Sequence, residues 1–195
     1  MANMKQLLIT LPNAHLRQPS KKIGFIDERV QQLVHDMEAI TLDWEANREH
    51  EVGVALAAIQ IDVPLRVVVV RNDFDNKSDT TFHAFINPVI TKYEGELLED
   101  FEGCLSVKDI YGKVPRYSKV RVKALDPTGK EVRFSAEGFL ARVFQHEIDH
   151  TNGTVFLDHI KDVPNAFYTL DPSGNLQQLD YEKDVKNNPA LWGEA

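Results

Sequence analysis

The chain of 195 residues has a single cysteine, Cys104. A lone cysteine forms no intrachain disulfide, which excludes a disulfide framework and leaves a thiol free to act as thiolate ligand or nucleophile in a reducing compartment. Positive charge is also short: 22 Lys and Arg face 30 Asp and Glu, a formal net charge of −8. That balance argues against direct binding of nucleic acid, whose phosphates demand cations. No apolar run approaches the ~20 residues that cross a bilayer. The N-terminal stretch meets Pro12, His15 and Arg17 before a signal-peptide core forms. The expectation is a cytoplasmic protein without membrane contact. Hydrophobic residues at 43% and aromatics at 9% are ordinary, enough for one domain with a proper core.

What is present is concentrated in Gln145-His146-Glu147-Ile148-Asp149-His150, near the end of an amphipathic segment from about Ala136 to Asn152. On a helix, His146 and His150 stand one turn apart on one face, where two imidazoles reach the same metal ion. Glu147 is one step round, placed to take a proton from water, and the His-Glu-x-x-His pattern marks zinc hydrolases. A catalytic metal needs a third protein ligand and an open position. One known arrangement puts a third His six residues after the second, but that position is Phe156. His159, Asp158 and Asp162 follow no ligand spacing. Upstream, Cys104 within Glu102-Gly103-Cys104-Leu105-Ser106 is the leading candidate, its competing reading a buried, inert thiol.

The rest of the chain supplies the frame. Residues 1–24 are rich in turn formers, with one short strand at Leu7 to Thr10. Asp27 is an N-cap, and Val30, Leu33, Val34, Met37, Ile40 and Trp44 form the stripe of a helix of about five turns. Gly53 to Gln60 is small and apolar until its last member. Such a run admits a substrate backbone alongside, though close packing under the first helix is the simpler account of the run alone. Gln60 is an amide able to hold an oxyanion, or a marker of the surface. Leu65 to Arg71 and Phe82 to Ile90, interrupted at Asn87-Pro88, read as strands. Lys119 to Asp126 with Glu131 to Ser135 reads as a hairpin. Ser135 is the expected N-cap of the second helix and Asn152-Gly153 its stop. These elements predict an α+β fold: mostly antiparallel sheet packed around a central metal-binding helix, plus an N-terminal helix. Residues 165–195 read as a polar, acidic, loosely attached tail.

Gly53-x-Ala55-x-Ala57-Ala58-x-Gln60, the Cys104 motif and the His146 motif together resemble the three signature motifs of the peptide deformylase family, in the same order and with similar spacing. The resemblance covers roughly Leu16 to Phe156 and includes Tyr111-Gly112 and Val114-x-Arg116. It implies a single catalytic domain over residues 1–164 that hydrolyses the N-formyl group of peptides beginning with formylmethionine, releasing formate. It also implies one divalent metal ion, Fe2+ or Zn2+, on Cys104, His146 and His150, with Glu147 as base and then acid. The Gln60 side chain and the Leu105 backbone N–H would stabilise the formyl oxygen, and Gly53, Ala55 and Tyr111 would lie along the substrate. Glu102 and Arg116 are expected to form an ion pair near the site. Asp149 either orients an imidazole or is a helix-surface carboxylate. Three positions depart from the family: Ala55 replaces the usual Gly, Lys108-Asp109 replaces Pro-Gly, and Thr151 replaces an apolar residue. Some relatives dock on the ribosome through a basic C-terminal helix, which the acidic tail does not supply. Two other readings stay open: a zinc endopeptidase with a ligand other than Cys104, and a formyl-peptide binder without turnover.

Overall fold

Asp27 opens the first helix by accepting hydrogen bonds from the N–H groups of Arg29 and Val30 at 3.0 and 3.2 Å, as an N-cap should. Helix α1 then spans Glu28–Glu45. The computed structural model describes residues 8–46, 48 and 51–193. After α1 come β1 (Ala55–Ala57), a 3-10 turn (Ala58–Ile61) and β2 (Val67–Arg71), which pairs antiparallel with β1. Every residue of β2 is buried, because its two faces meet different helices. Val67 and Val69 pack with Val30, Leu33, Met37 and Ile40 of α1. Val68 and Val70 pack with Val143, Phe144 and Ile148 of α2 (Gly138–Thr151). A run of four valines is therefore what a strand covered on both sides requires.

Two long strands, β3 (Phe82–Cys104) and β4 (Val107–Leu125), form the antiparallel spine. The expected break at Asn87-Pro88 is a bulge inside β3: the register shifts between Ile86 and Val89, and Asn87 sits at φ +53°. Its amide exchanges hydrogen bonds with the backbone of Ile23 at 2.8 and 2.7 Å, so the strand bends and continues. The far edge of β4 carries β5 (Glu131–Glu137) at one end and β6 (Phe167–Leu170) at the other, with β7 (Leu176–Gln178) beyond β6. This mixed helix and antiparallel-sheet fold agrees with the expected class. No helix among the described residues is long and apolar enough to cross a membrane.

Three expectations need correction. Ser135 does not cap α2: it pairs with Arg121 inside β5, whose ladder runs on to Glu137, and Glu137 is the residue before the helix. Leu7 lies outside the described residues, and 8–10 form no strand, although Ile9 donates to the Gln60 carbonyl at 2.8 Å. The segment after Asn165 is not loosely attached. Phe167, Val185 and Leu191 are buried in one cluster with Leu16, Val114, Phe156 and Ile160, and the Trp192 indole donates to the Val185 carbonyl at 2.7 Å. Leu179, Tyr181 and Trp192 pack against the same cluster, and α3 (Pro189–Trp192) closes the segment.

Candidate active site

Helix α2 packs its apolar residues on the sheet and turns a polar face toward the end of β3. There Cys104, the last residue of β3, meets His146 and His150: one ligand atom from each lies within 4.8 Å of the others. Cys104 Sγ is 3.2 Å from His150 Nε2. One thiol and two imidazoles, largely withdrawn from solvent, form a donor set suited to a borderline divalent ion. Phe156, the position that failed as a third histidine, stacks on the His146 ring at 5.8 Å between centroids.

Glu102 organises the rear of the site. It lies two residues before Cys104 and is almost fully buried, with four charge-assisted hydrogen bonds. Its carboxylate accepts from Arg116 at 2.8 and 3.1 Å, from Arg142 at 2.8 Å, and meets His146 Nδ1 at 2.9 Å. Burial would raise this carboxyl, but the bonds from His146 and Arg116 prevail and hold it well below the usual carboxylate range. The contact at Nδ1 leaves the Nε2 of His146 to face Cys104 and His150. Burial would likewise lower His146, yet Cys104 and Glu102 hold it well above its ordinary value. His150 goes the other way, driven down by burial and then by the charge of His146.

The expected Glu102–Arg116 pair is thus present, and Arg116 also holds Asp149 at 2.5 Å. Asp149 bonds His159 at 2.7 Å, and among the described residues its side chain makes no hydrogen bond to His146 or His150. Arg142 is the residue that the sequence reading missed. It donates to Glu102, to the Val114 carbonyl at 2.7 Å and to the Leu98 carbonyl at 2.8 Å. An arginine inside the apolar part of an amphipathic helix, one turn before His146, was the available signal.

Among the described residues, two buried polar atoms here have no partner: Glu147 Oε2 and His150 Nδ1. An unsatisfied carboxylate oxygen in the interior is costly, and burial with the charge of Glu102 pushes Glu147 up to about 7 against the opposing influence of His146. A carboxyl poised near neutrality beside a metal-type donor set is suited to moving a proton.

In front lies a cleft of about 300 Å3, lined by Ala55, Gln60, Cys104, Leu105, Tyr111 and Glu147 among others. Gln60 is buried and its amide is fixed. Its Oε1 accepts from the Ala57 N–H at 2.8 Å, so its Nε2 faces Ser106 Oγ at 3.2 Å and Cys104 Sγ at 3.5 Å. Tyr111 crosses to Glu51 through its hydroxyl at 2.6 Å, and its ring fits because a side chain at Gly103 would sit 2.8 Å from it. Trp44, read as a stripe residue of the first helix, and Phe139 also line the cleft. Gly53 does not. It lies behind β1, where its N–H donates to Glu45 at 2.8 Å and a Cβ would meet Thr41 Cγ2 at 2.7 Å. At the rim, Asp109 adopts φ +56°, a left-handed conformation that Gly, Asn and Asp tolerate best. Thr151 is buried and donates to the Ile148 carbonyl at 2.8 Å, which satisfies its hydroxyl within the helix.

A family model for polypeptide deformylase matches residues 5–166. A peptide deformylase of Mesorhizobium japonicum is 44% identical over 154 residues, covering 78% of this chain and 82% of its own length. That of Thermomicrobium roseum is 41% identical over 167 residues, 84% of this chain and 90% of its own. The crystal structure of a peptide deformylase from Legionella pneumophila superposes with a TM-score of 0.69 at 40% identity, covering 78% of this chain and 83% of that one. The chain belongs to the polypeptide deformylase family, the metallohydrolases that remove the N-formyl group from nascent peptides.

Proposed function

We propose that Cys104, His146 and His150 hold one divalent metal ion, Fe2+ or Zn2+, that α2 is the central metal-binding helix, and that Glu147 performs the proton transfers of deformylation on peptides beginning with formylmethionine. The observation that carries this reading is the Glu147 carboxylate, one oxygen unpartnered among the described residues, beside the half-buried Cys104 and the buried His146 and His150, with Cys104, His146 and Glu147 all lining one cleft. A bound ion supplies Lewis acidity toward the formyl oxygen and toward water. The remaining work belongs to side chains. Glu147 takes a proton from the water that attacks the formyl carbon, then returns it to the amine nitrogen as the C–N bond breaks, leaving formate and a free N-terminus. Gln60 Nε2 and the Leu105 backbone N–H donate to the formyl oxygen as it gains negative charge. The fixed Gln60 amide spares reorganisation in that step. Ala55 and Tyr111 border the path of the peptide, while Gly53 supports β1 from behind.

All these residues fall within 1–164, which we take as the catalytic unit, with the acidic 165–195 segment appended to it. Action on nascent chains supports a cytoplasmic location. The acidic segment gives no basis for ribosome docking. The test is formate release from formyl-Met-Ala by the metal-loaded protein. Glu147→Gln should lower kcat/KM about a thousandfold while metal content is retained. Absence of release from fully loaded wild type would overturn the reading.

A further inference from the structure

A cavity of about 590 Å3 adjoins the catalytic cleft and shares Trp44, Glu51, Cys104, Leu105 and Tyr111 with it. The two spaces therefore share a boundary beside the thiol. The far wall of this second space holds Leu170 and Asp171, beyond residue 166 where the family match ends. Strand β6 is fastened to the cleft itself. Tyr168 pairs with Tyr111 and Phe167 with Gly112 in antiparallel register, and the Tyr168 ring stands edge-on to Phe101, a cleft residue, at 4.9 Å. Phe167 is completely buried and anchors the strand.

We infer that β6 forms the far wall of an extended peptide groove, in which Asp171 is a specificity-determining residue favouring cationic side chains downstream of the formylated residue. This rests on the deformylase reading of the cleft. A formylated residue is one end of a polymer, so the residues after it must leave the site through a space continuous with Cys104 and Leu105. The charges lining that space are unequal: Asp43, Glu51, Asp109 and Asp171 face Arg48 and Lys108. Arg48 is engaged, bonding Glu51 at 2.6 Å and lying over the Trp44 ring at 4.3 Å. Asp171 is held rigidly: its Oδ1 accepts from the N–H groups of Ser173 and Asn175 at 2.8 Å each, closing the turn into β7. Among the described residues, its Oδ2 receives the longer contacts of Asn175 Nδ2 at 3.2 Å and Gln177 Nε2 at 3.4 Å. A fixed anion at a groove wall discriminates by charge even when partly solvated.

The experiment compares kcat/KM at low ionic strength for amidated formyl-Met-Xaa-Ala and formyl-Met-Ala-Xaa peptides, Xaa being Lys, Ala or Glu. The metal-loaded enzyme should prefer Lys over Glu by about fivefold in at least one series, and salt should shrink the ratio. Asp171→Asn keeps the Oδ1 acceptor that closes the turn, so the hairpin survives, and its Lys to Glu ratio should fall to about twofold or less. The ratio within each protein is the readout, which removes any change in overall rate. Equal rates for Lys and Glu in both wild-type series, or an unchanged ratio in Asp171→Asn, overturn the assignment and leave the deformylase reading intact. Failure to release formate from any of the peptides overturns both.

Discussion

Helices α1 and α2 cover opposite faces of the same strands, yet they bury different chemistry. The inner face of α1 is Val30, Leu33, Val34, Met37 and Ile40, and its buried polar residues are Thr41 and Glu45 near the C-terminal end. The buried set of α2 includes Arg142, Gln145, His146, Glu147, His150 and Thr151 alongside Ala141, Val143, Phe144 and Ile148. Burial of α1 follows from the free energy of removing apolar surface from water. Burial of α2 carries a desolvation cost that its partners offset one by one: Glu102 for Arg142 and His146, the Tyr117 backbone for Gln145, the Ile148 carbonyl for Thr151. The atoms left without an offset, Glu147 Oε2 and His150 Nδ1, lie beside the proposed metal site. On this face the satisfied bonds hold Arg142, Gln145 and Thr151 in place and orient His146, while the residue with an unpartnered oxygen is the one proposed to move the proton.

The comparison can be broken most severely at Glu102. Glu102→Ala leaves Arg116 and Arg142 inside the protein without their shared carboxylate, and frees the Nδ1 of His146. Stability should fall by about 4 kcal/mol and metal affinity by about tenfold or more, read by denaturant titration and by competition with a chelating dye. Loss of stability at unchanged metal affinity would show that the network supports only the fold. The matching change on the other helix is Met37→Ala, in the centre of the α1 stripe and fully buried. It should cost about 3 kcal/mol and leave metal affinity and KM for formyl-Met-Ala unchanged. An altered KM would mean that α1 is coupled to the site and the division between the helices is false.

The same division explains what was legible in the sequence. The α1 stripe, its Asp27 cap and the valine run of β2 follow from periodicity and local chemistry, and they lie where expected. The His146 motif is local too, because one turn of helix sets its geometry. The position of Arg142 in the α2 stripe was a signal, but its role was not legible, since its partners Glu102, Val114 and Leu98 come from β3 and β4, and a one-dimensional pattern does not show that two strands pass under a helix. Gly53 was read as lying along the substrate, whereas the close approach of Thr41 accounts for a glycine at that position. The tail was misread because its buried residues, Phe167, Val185 and Leu191, are too widely spaced for a helix or strand signal and depend on a surface built by Leu16, Phe156 and Ile160. Ser135 failed as a cap because ladder bonds to Arg121 outweigh a cap that an isolated helix would use.

The smallest expected effect tests the unsatisfied carboxylate directly. In protein stripped of metal by chelation, Glu147 ionises near pH 7 when folded and near 4.5 when unfolded, because burial and the charge of Glu102 raise it. Between those values the folded state binds more protons than the unfolded state, so stability falls as pH rises, opposite in sign to an ordinary ion-paired carboxylate. From pH 5 to pH 7 the loss should be about 2 kcal/mol. Glu147→Gln keeps the shape and removes the ionisation, so its stability advantage over wild type should grow by that amount across the same interval. His146 and His150 titrate in both proteins, and the difference between the two curves isolates Glu147. Urea titrations at pH 5, 6 and 7 measure it. A difference that stays flat would mean that the folded protein supplies Glu147 with partners after all, and the contrast between a satisfied scaffold and an unsatisfied catalytic group would fail at the residue on which it most depends.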